Sequence, residues 1–313
     1  MRTNMQVLKK NYKRIIQIIK AILNCLEGYM YKMSIDVGLL RIPSIEMNSD
    51  NIIVSLTSYE RRVKNNVVYY TLCSILRQKV KPDRIVLWLD ENEWSDDTLP
   101  RKLLSLKEKG VSIEYCENLK SYKKLVPSLK KYPESTIITV DDDCIYPQDT
   151  LEQLLDRYRK HPHNIICLYA MEPIIQSGCP ANYKEWNVAN REYSSNLIFP
   201  IGAAGILYPP HSLHEDACNK ELFNQLCPSA DDIWFWFNSL RNNIEKTITP
   251  RRHETLSFDL FYQYMHNGSS LTHINKKQGK NDLQFVKIFN HFNISIDNNG
   301  FLYTKEKDVY DKG

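Results

Sequence analysis

Residues 135–143 read Ser-Thr-Ile-Ile-Thr-Val-Asp-Asp-Asp, a short β-branched apolar run that ends on three consecutive carboxylates. β-Branched side chains favour the pleated, buried surface of a strand. A short apolar run bounded by turn residues reads as a strand covered on both faces. Three adjacent carboxylates repel one another and cost stability unless a cation or several donors compensate. A hard divalent ion does so, since Mg²⁺ and Mn²⁺ prefer carboxylate oxygens and keep positions open for a diphosphate. The other reading is an acidic turn that opens the next helix, with Pro147 and Asp149 shaping its start. Placement directly behind a buried strand favours the metal, because functional groups gather outside the carboxyl ends of parallel strands.

The same rhythm runs upstream. Residues 52–56 (Ile-Ile-Val-Ser-Leu) read as a buried strand with a helix over 67–77 behind it. Residues 84–89 form a second strand, entered through the turn Lys81-Pro82-Asp83. A helix over 99–109 stops at Gly110, a C-terminal cap, and is followed by a third strand over 111–116. A third helix covers 122–131, and a fourth, over 150–159, follows the acidic triplet. Strands separated by short helices imply βαβ crossovers, hence an α/β three-layer sandwich with a mainly parallel central sheet.

Composition agrees with a folded enzyme-sized domain. The 313 residues are 42% apolar and 25% charged, ordinary globular usage that excludes a mainly disordered chain. Net charge is +4, too mild a surplus to argue for a nucleic-acid partner. None of the eight cysteines forms a C-x-x-C pair, which removes zinc ribbons and thioredoxin-type chemistry. Several lie in apolar runs, where cysteine behaves as a small buried hydrophobe, so a reducing, cytoplasmic compartment is expected.

Ser55-Leu56-Thr57-Ser58-Tyr59 at the end of the first strand, followed by Ile138-Thr139-Val140-Asp141-Asp142-Asp143, resembles a GT-A glycosyltransferase. More narrowly, the chain resembles bacterial GT2-like transferases of surface polysaccharide synthesis over residues 51–292. The resemblance implies the GT-A type of Rossmann-like sandwich. Asp141 and Asp143 match the D-x-D positions, which in that family hold Mn²⁺ or Mg²⁺ against a nucleotide-sugar diphosphate, and Asp142 takes the variable middle place. Thr57, Ser58 and Tyr59 match the loop that receives the nucleotide base, where ring stacking contributes about 1–3 kcal/mol in single-strand binders. Of Lys123 and Lys124, one is expected to face the diphosphate and the other to be an ordinary exposed helix lysine. Arg61 and Arg62 either reach phosphate or merely solvate their loop, and the second reading is the stronger.

Further along, Asp231-Asp232 open an apolar, aromatic helical stretch over 233–240. By resemblance they are the acidic pair of the acceptor site, one of them the general base that an inverting transfer needs. The base role is assigned to Asp231 over Asp232. The plain alternative is that either Asp caps the helix and complements its dipole. Between the two acidic groups, Ile201-Gly202-Ala203-Ala204-Gly205 is no dinucleotide fingerprint, because no helix opens behind it. Its small residues permit close backbone approach, either in a packed turn or along a sugar cleft. Gly279-Lys280-Asn281-Asp282 reads as a helix start, where Lys280 could also meet the leaving diphosphate. His266 and His273 are weaker candidates for a further metal ligand.

Residues 1–48 are read as a basic helical segment ahead of a 49–295 domain, with a 296–313 tail. Tyr12, Ile15, Ile19, Ile22 and Leu26 recur at amphipathic helical spacing, and Lys20 interrupts any span long enough to cross a membrane. Such a helix either packs on the domain or a partner subunit, or lies on an anionic membrane surface through residues 5–27. The expected function is metal-dependent transfer of a sugar from a nucleotide-diphosphate donor, UDP-linked by resemblance, to a hydroxyl acceptor. A cell-surface glycan or a lipid-linked saccharide is the expected acceptor, and the inner face of the membrane the expected place. The alternatives are a nucleotidyltransferase on a related sheet, disfavoured because no phosphate-cradling Gly-rich loop follows the first strand, and a non-catalytic sugar-binding scaffold.

Overall fold

A computed structural model of the chain describes residues 2–46, 51–249, 253, 255–257 and 279–305. Eight strands build the central sheet: β1 (Ile52–Thr57), β2 (Arg84–Asp90), β3 (Val111–Cys116), β4 (Thr136–Thr139), β5 (Ile165–Cys167), β6 (Tyr193–Ser195), β7 (Ile206–Tyr208) and β8 (Lys246–Ile248). Their spatial order is β6-β8-β5-β7-β4-β1-β2-β3. Strands β4, β1, β2 and β3 pair in parallel, as do β5 and β8, while β7 and β6 run against their neighbours. The mainly parallel α/β sheet expected from the alternation is what forms.

Continuous apolar strands are explained by cover on both faces. Val54 and Leu56 pack into one core with Leu72, Ile75 and Leu151, while Ile137 and Ile206 pack into another with Phe199, Trp234 and Phe285. The register pairs Ser55 with Thr139, and the Val140 N–H reaches Ser55 O at 3.2 Å. Thr57-Ser58 and Asp141-Asp142 therefore leave the sheet side by side at its carboxyl edge.

The helices that frame the site and the domain are α1 (Arg2–Asp36), α2 (Val67–Leu76), α3 (Val126–Lys131), α4 (Thr150–Lys160), α5 (Asp231–Arg241) and α6 (Lys280–His291). Two differ from expectation. Instead of one helix over 122–131, a 3₁₀ turn covers Lys120–Lys124 and α3 starts afresh at Val126. Pro127 has no N–H to offer the carbonyl of residue 123, so one α-helix cannot run through both. Instead of one helix over 99–109, an α-turn at Arg101–Leu104 is followed by a 3₁₀ turn at Lys107–Lys109. There Ser105 Oγ donates to Lys102 O at 2.8 Å, a local bond that competes with helix continuation. Gly110 does end the segment, at φ 90°, and a Cβ there would stand 2.5 Å from Ile45 O.

The end of α1 is fixed on the domain. Asp36 accepts from Lys102 Nζ and from the Tyr70 hydroxyl, each at 2.7 Å, and Ile35 is buried in the first core. After α6 comes a hairpin, Ile294–Ile296 with Leu302–Thr304, so the segment read as a tail starts on a buried residue, Ile296. Among the described residues no helix is long and apolar enough to cross a membrane.

Candidate active site

Two carboxylate groups meet at the carboxyl edge of β1 and β4. In the triplet, Asp142 is buried and its Oδ2 accepts from Ser58 Oγ at 2.5 Å. The Arg62 guanidinium forks across the triplet, on Asp142 Oδ1 and, at 2.7 Å, on Asp143 Oδ2. Arg62 itself lies over the Tyr59 ring, 5.1 Å from its centroid. Thr71 Oγ1 donates to Asp142 O at 2.9 Å, so α2 also holds the loop. Burial raises the Asp142 carboxyl above the usual range, and Arg62 and Ser58 pull against that rise. Asp141 is the most open of the three, with its side chain one-third exposed (33%).

The second group stands on the first turn of α5. Ala230 is the N-cap and neither Asp231 nor Asp232 caps the helix, so both carboxylates are left to other work. The turn before them is clamped: Ser229 N–H donates to Gln284 Oε1 at 3.1 Å and Cys227 Sγ to Ala230 O at 3.1 Å.

Lys124 joins the groups. Its Nζ is 2.8 Å from Asp231 Oδ2 and 3.5 Å from both Asp232 Oδ1 and Asp141 Oδ1. Burial works against its charge, but the three carboxylates outweigh burial and hold its pKa well above the ordinary lysine value. A relay of hydroxyls positions it: Ser55 Oγ donates to Lys124 O at 2.6 Å and meets Ser128 Oγ at 2.8 Å. Ser128 in turn accepts from Trp88 Nε1 at 2.7 Å. Burial raises the Asp232 carboxyl to about 6, with Asp231 and Asp141 adding to the rise and Lys124 and the Gly202 N–H opposing it. Asp231 Oδ2 and Asp232 Oδ1 are buried, and the cation that faces both is Lys124.

The small residues of 201–205 form a 3₁₀ turn, Gly202–Ala204, pressed on this cluster. The Gly202 N–H donates to Asp232 Oδ2 at 3.3 Å. A Cβ at Gly202 would meet Lys124 Nζ at 2.8 Å, Asp232 Oδ1 at 3.3 Å and Asp141 Oδ1 at 3.5 Å. The buried Tyr146 hydroxyl accepts from the Asp141 N–H at 2.8 Å and donates to Ala203 O at 3.2 Å.

The remaining expected residues divide. Thr57 Oγ1 is turned to Trp88 O at 2.9 Å, and Tyr59 is exposed beside Arg61 and Arg62. Lys123 is a correction: neither lysine is an ordinary exposed one, since Lys123 is buried near Cys116 and Lys124 is buried among carboxylates. Lys280 is exposed on the first turn of α6, and among the described residues no ion pair joins it to either acidic group. His266 and His273 lie outside the described residues. Sequence reasoning passed over the grip of Arg62, the role of Tyr146, and Asp90, buried at the end of β2, whose Oδ1 accepts from the Asn92 N–H at 2.9 Å. An aspartate closing an apolar strand was the available signal for the last.

By donor chemistry the triplet fits a hard divalent ion. Among the described residues no three His, Cys, Asp or Glu side chains converge on one metal position. Asp142 and Asp143 are paired with Arg62 and Asp141 faces Lys124 at 3.5 Å, with Asp141 the most exposed of the three.

No protein-family model and no curated protein matches the chain. Solved structures do resemble it. TarS 1–349 of S. aureus is 15% identical, covers 77% of this chain over 72% of its own, and has a TM-score of 0.45. UDP-glucose pyrophosphorylase of Acinetobacter baumannii is 10% identical over 77% and 99% of the two chains, with a TM-score of 0.41. The mannosyltransferase PcManGT of Pyrobaculum calidifontis, solved with GDP-Man and Mn²⁺, is 14% identical over 49% and 45%, with a TM-score of 0.30.

Proposed function

We propose that the chain is a glycosyltransferase that moves a sugar from a nucleotide-diphosphate donor, UDP-linked by preference, to a hydroxyl acceptor with inversion. The observation that carries this reading is Lys124, whose ammonium joins Asp141 of the triplet to Asp231 and Asp232 of α5. Donor-side and acceptor-side carboxylates then belong to a single site. In the transfer the acceptor oxygen bonds to the anomeric carbon, the bond from that carbon to the diphosphate breaks, and the acceptor proton passes to a carboxylate.

The arrangement favours Asp232 for that proton and Asp231 for holding Lys124, the reverse of the roles expected from sequence. Asp231 is the nearer partner of the ammonium, whereas the Asp232 side chain is more than twice as open, 26% against 12%. A carboxyl near 6 is suited to take a proton at neutral pH. Asp141 and Asp143 would hold Mn²⁺ or Mg²⁺, which when bound neutralises charge on the departing diphosphate. Ser58, Tyr59 and Asp142 would face the nucleotide, and Arg62 and Lys123 supply positive charge beside it. A lipid-linked or glycan acceptor would place the work at the inner face of the membrane.

The test is a panel of UDP-, GDP- and CMP-sugars with and without Mn²⁺, read as nucleotide release. Metal-stimulated release of a nucleoside diphosphate supports the reading. Release of pyrophosphate from a nucleoside triphosphate and a sugar phosphate would identify a nucleotidyltransferase instead. Asp143→Asn should abolish the metal-stimulated part and leave the circular dichroism spectrum unchanged, since asparagine keeps an oxygen for Arg62, which also stays paired with Asp142. Undiminished metal dependence in that variant removes Asp143 from the site.

A further inference from the structure

Helix α1 has two opposite faces. Ala21, Gly28 and Ile35, seven residues apart and therefore on one line, are buried. About half a turn away, Tyr12, Ile16, Ile19, Leu23, Leu26 and Met30 step by four and three residues, and every one is exposed. Small side chains at 21 and 28 let the helix lie close on the domain, and the apolar line points away from it.

Charge says what the outer line fits. Within α1 stand seven Lys and Arg against two Asp and Glu, +5, and the remaining chain holds 34 against 35, −1. All the net positive charge of the protein is thus carried by this helix, and from Arg2 to Lys20 it has no acid at all. A second copy laid along the stripe would set two +5 helices within a Debye length of about 8–10 Å, where like charges repel. An anionic lipid surface offers the opposite charge together with an apolar layer to receive the stripe.

We infer that α1 seats the protein on anionic phospholipid, lying in the plane of the interface with its Tyr12–Met30 stripe in the acyl boundary and the domain above. The contact is close to the chemistry. Leu256–Ser257, against which α1 packs, pairs with Cys144–Ile145, the residues next to Asp143. Lipid binding stands without the proposed transfer, but its purpose rests on that reading: an acceptor hydroxyl carried by a lipid would meet the site at the surface.

The experiment is flotation of the full-length protein with vesicles of phosphatidylcholine plus phosphatidylglycerol and with vesicles of phosphatidylcholine alone. The protein should float with the anionic vesicles and be released as salt rises from about 0.1 M to about 1 M, where the Debye length falls to about 3 Å. Leu23→Glu with Leu26→Glu should weaken binding about tenfold or more, because two exposed apolar contacts become charged. Both residues are exposed, so the thermal melt should not move; Gly28→Leu, on the inner line, should lower it. Binding that the double variant leaves intact, or no binding to either vesicle, overturns the inference. So does a dimer in sedimentation equilibrium that the double variant dissociates while vesicles are ignored. Vesicle binding without nucleotide release from any donor would sustain this inference and sink the proposed transfer.

Discussion

Lys124→Met should cost several kcal/mol of stability and nearly all activity. The substitution keeps the length of the side chain and removes the charge that Asp231, Asp232 and Asp141 share. Removing one partner of a buried ion pair typically costs about 3–5 kcal/mol, because the other charge stays behind uncompensated. The pH dependence follows from the direction of the shifts. Asp232 already sits at about 6 in the folded protein, above its unfolded value, so its contribution to stability is present at low pH and lost as pH rises through 6. Without the ammonium that pulls it down, Asp232 titrates higher still. The deficit of the variant should therefore be largest at neutral and alkaline pH and shrink on acidification. Urea denaturation at several pH values measures this, and a midpoint unmoved at pH 8 would show that Lys124 does not bind the groups together.

Asp232→Asn should lower the transfer rate by about 10²–10⁴, the usual worth of a positioned general base, with little change in donor KM. Asparagine retains an oxygen for the Gly202 N–H, so the turn at 202–204 keeps its bond. In the parent protein kcat/KM should rise with pH through about 6 as Asp232 loses its proton, and the variant should lack that limb. Asp231→Asn removes the nearest partner of Lys124, so its main effect should be on stability. Should Asp231→Asn abolish transfer while Asp232→Asn stays active, the base is Asp231, as first expected.

Much of this site is legible in one dimension and its wiring is not. The parallel strands are readable because cover on both faces leaves them mostly apolar and β-branched, as at Ile52–Leu56 and Thr136–Val140. The triplet and the Asp231-Asp232 pair are readable because each is an acidic cluster at the end of an apolar element. What joins them is set by tertiary packing. Nothing near Lys124 in the chain announces that its ammonium faces carboxylates on α5, and nothing near Arg62 announces its grip on Asp142 and Asp143. Residues 122–131 read as one helix because periodicity carries across Pro127 although the hydrogen bond does not.

The hydroxyl of Tyr146 has a dynamic consequence. It takes the Asp141 amide proton on one side and gives its own to Ala203 O on the other. One oxygen atom thus splices the triplet loop to the turn that carries Gly202, and neither can swing out alone without breaking one of its two hydrogen bonds. The two loops should open as one unit, so the exchange of the Asp141 amide with deuterated water becomes a clock for the Gly202 turn.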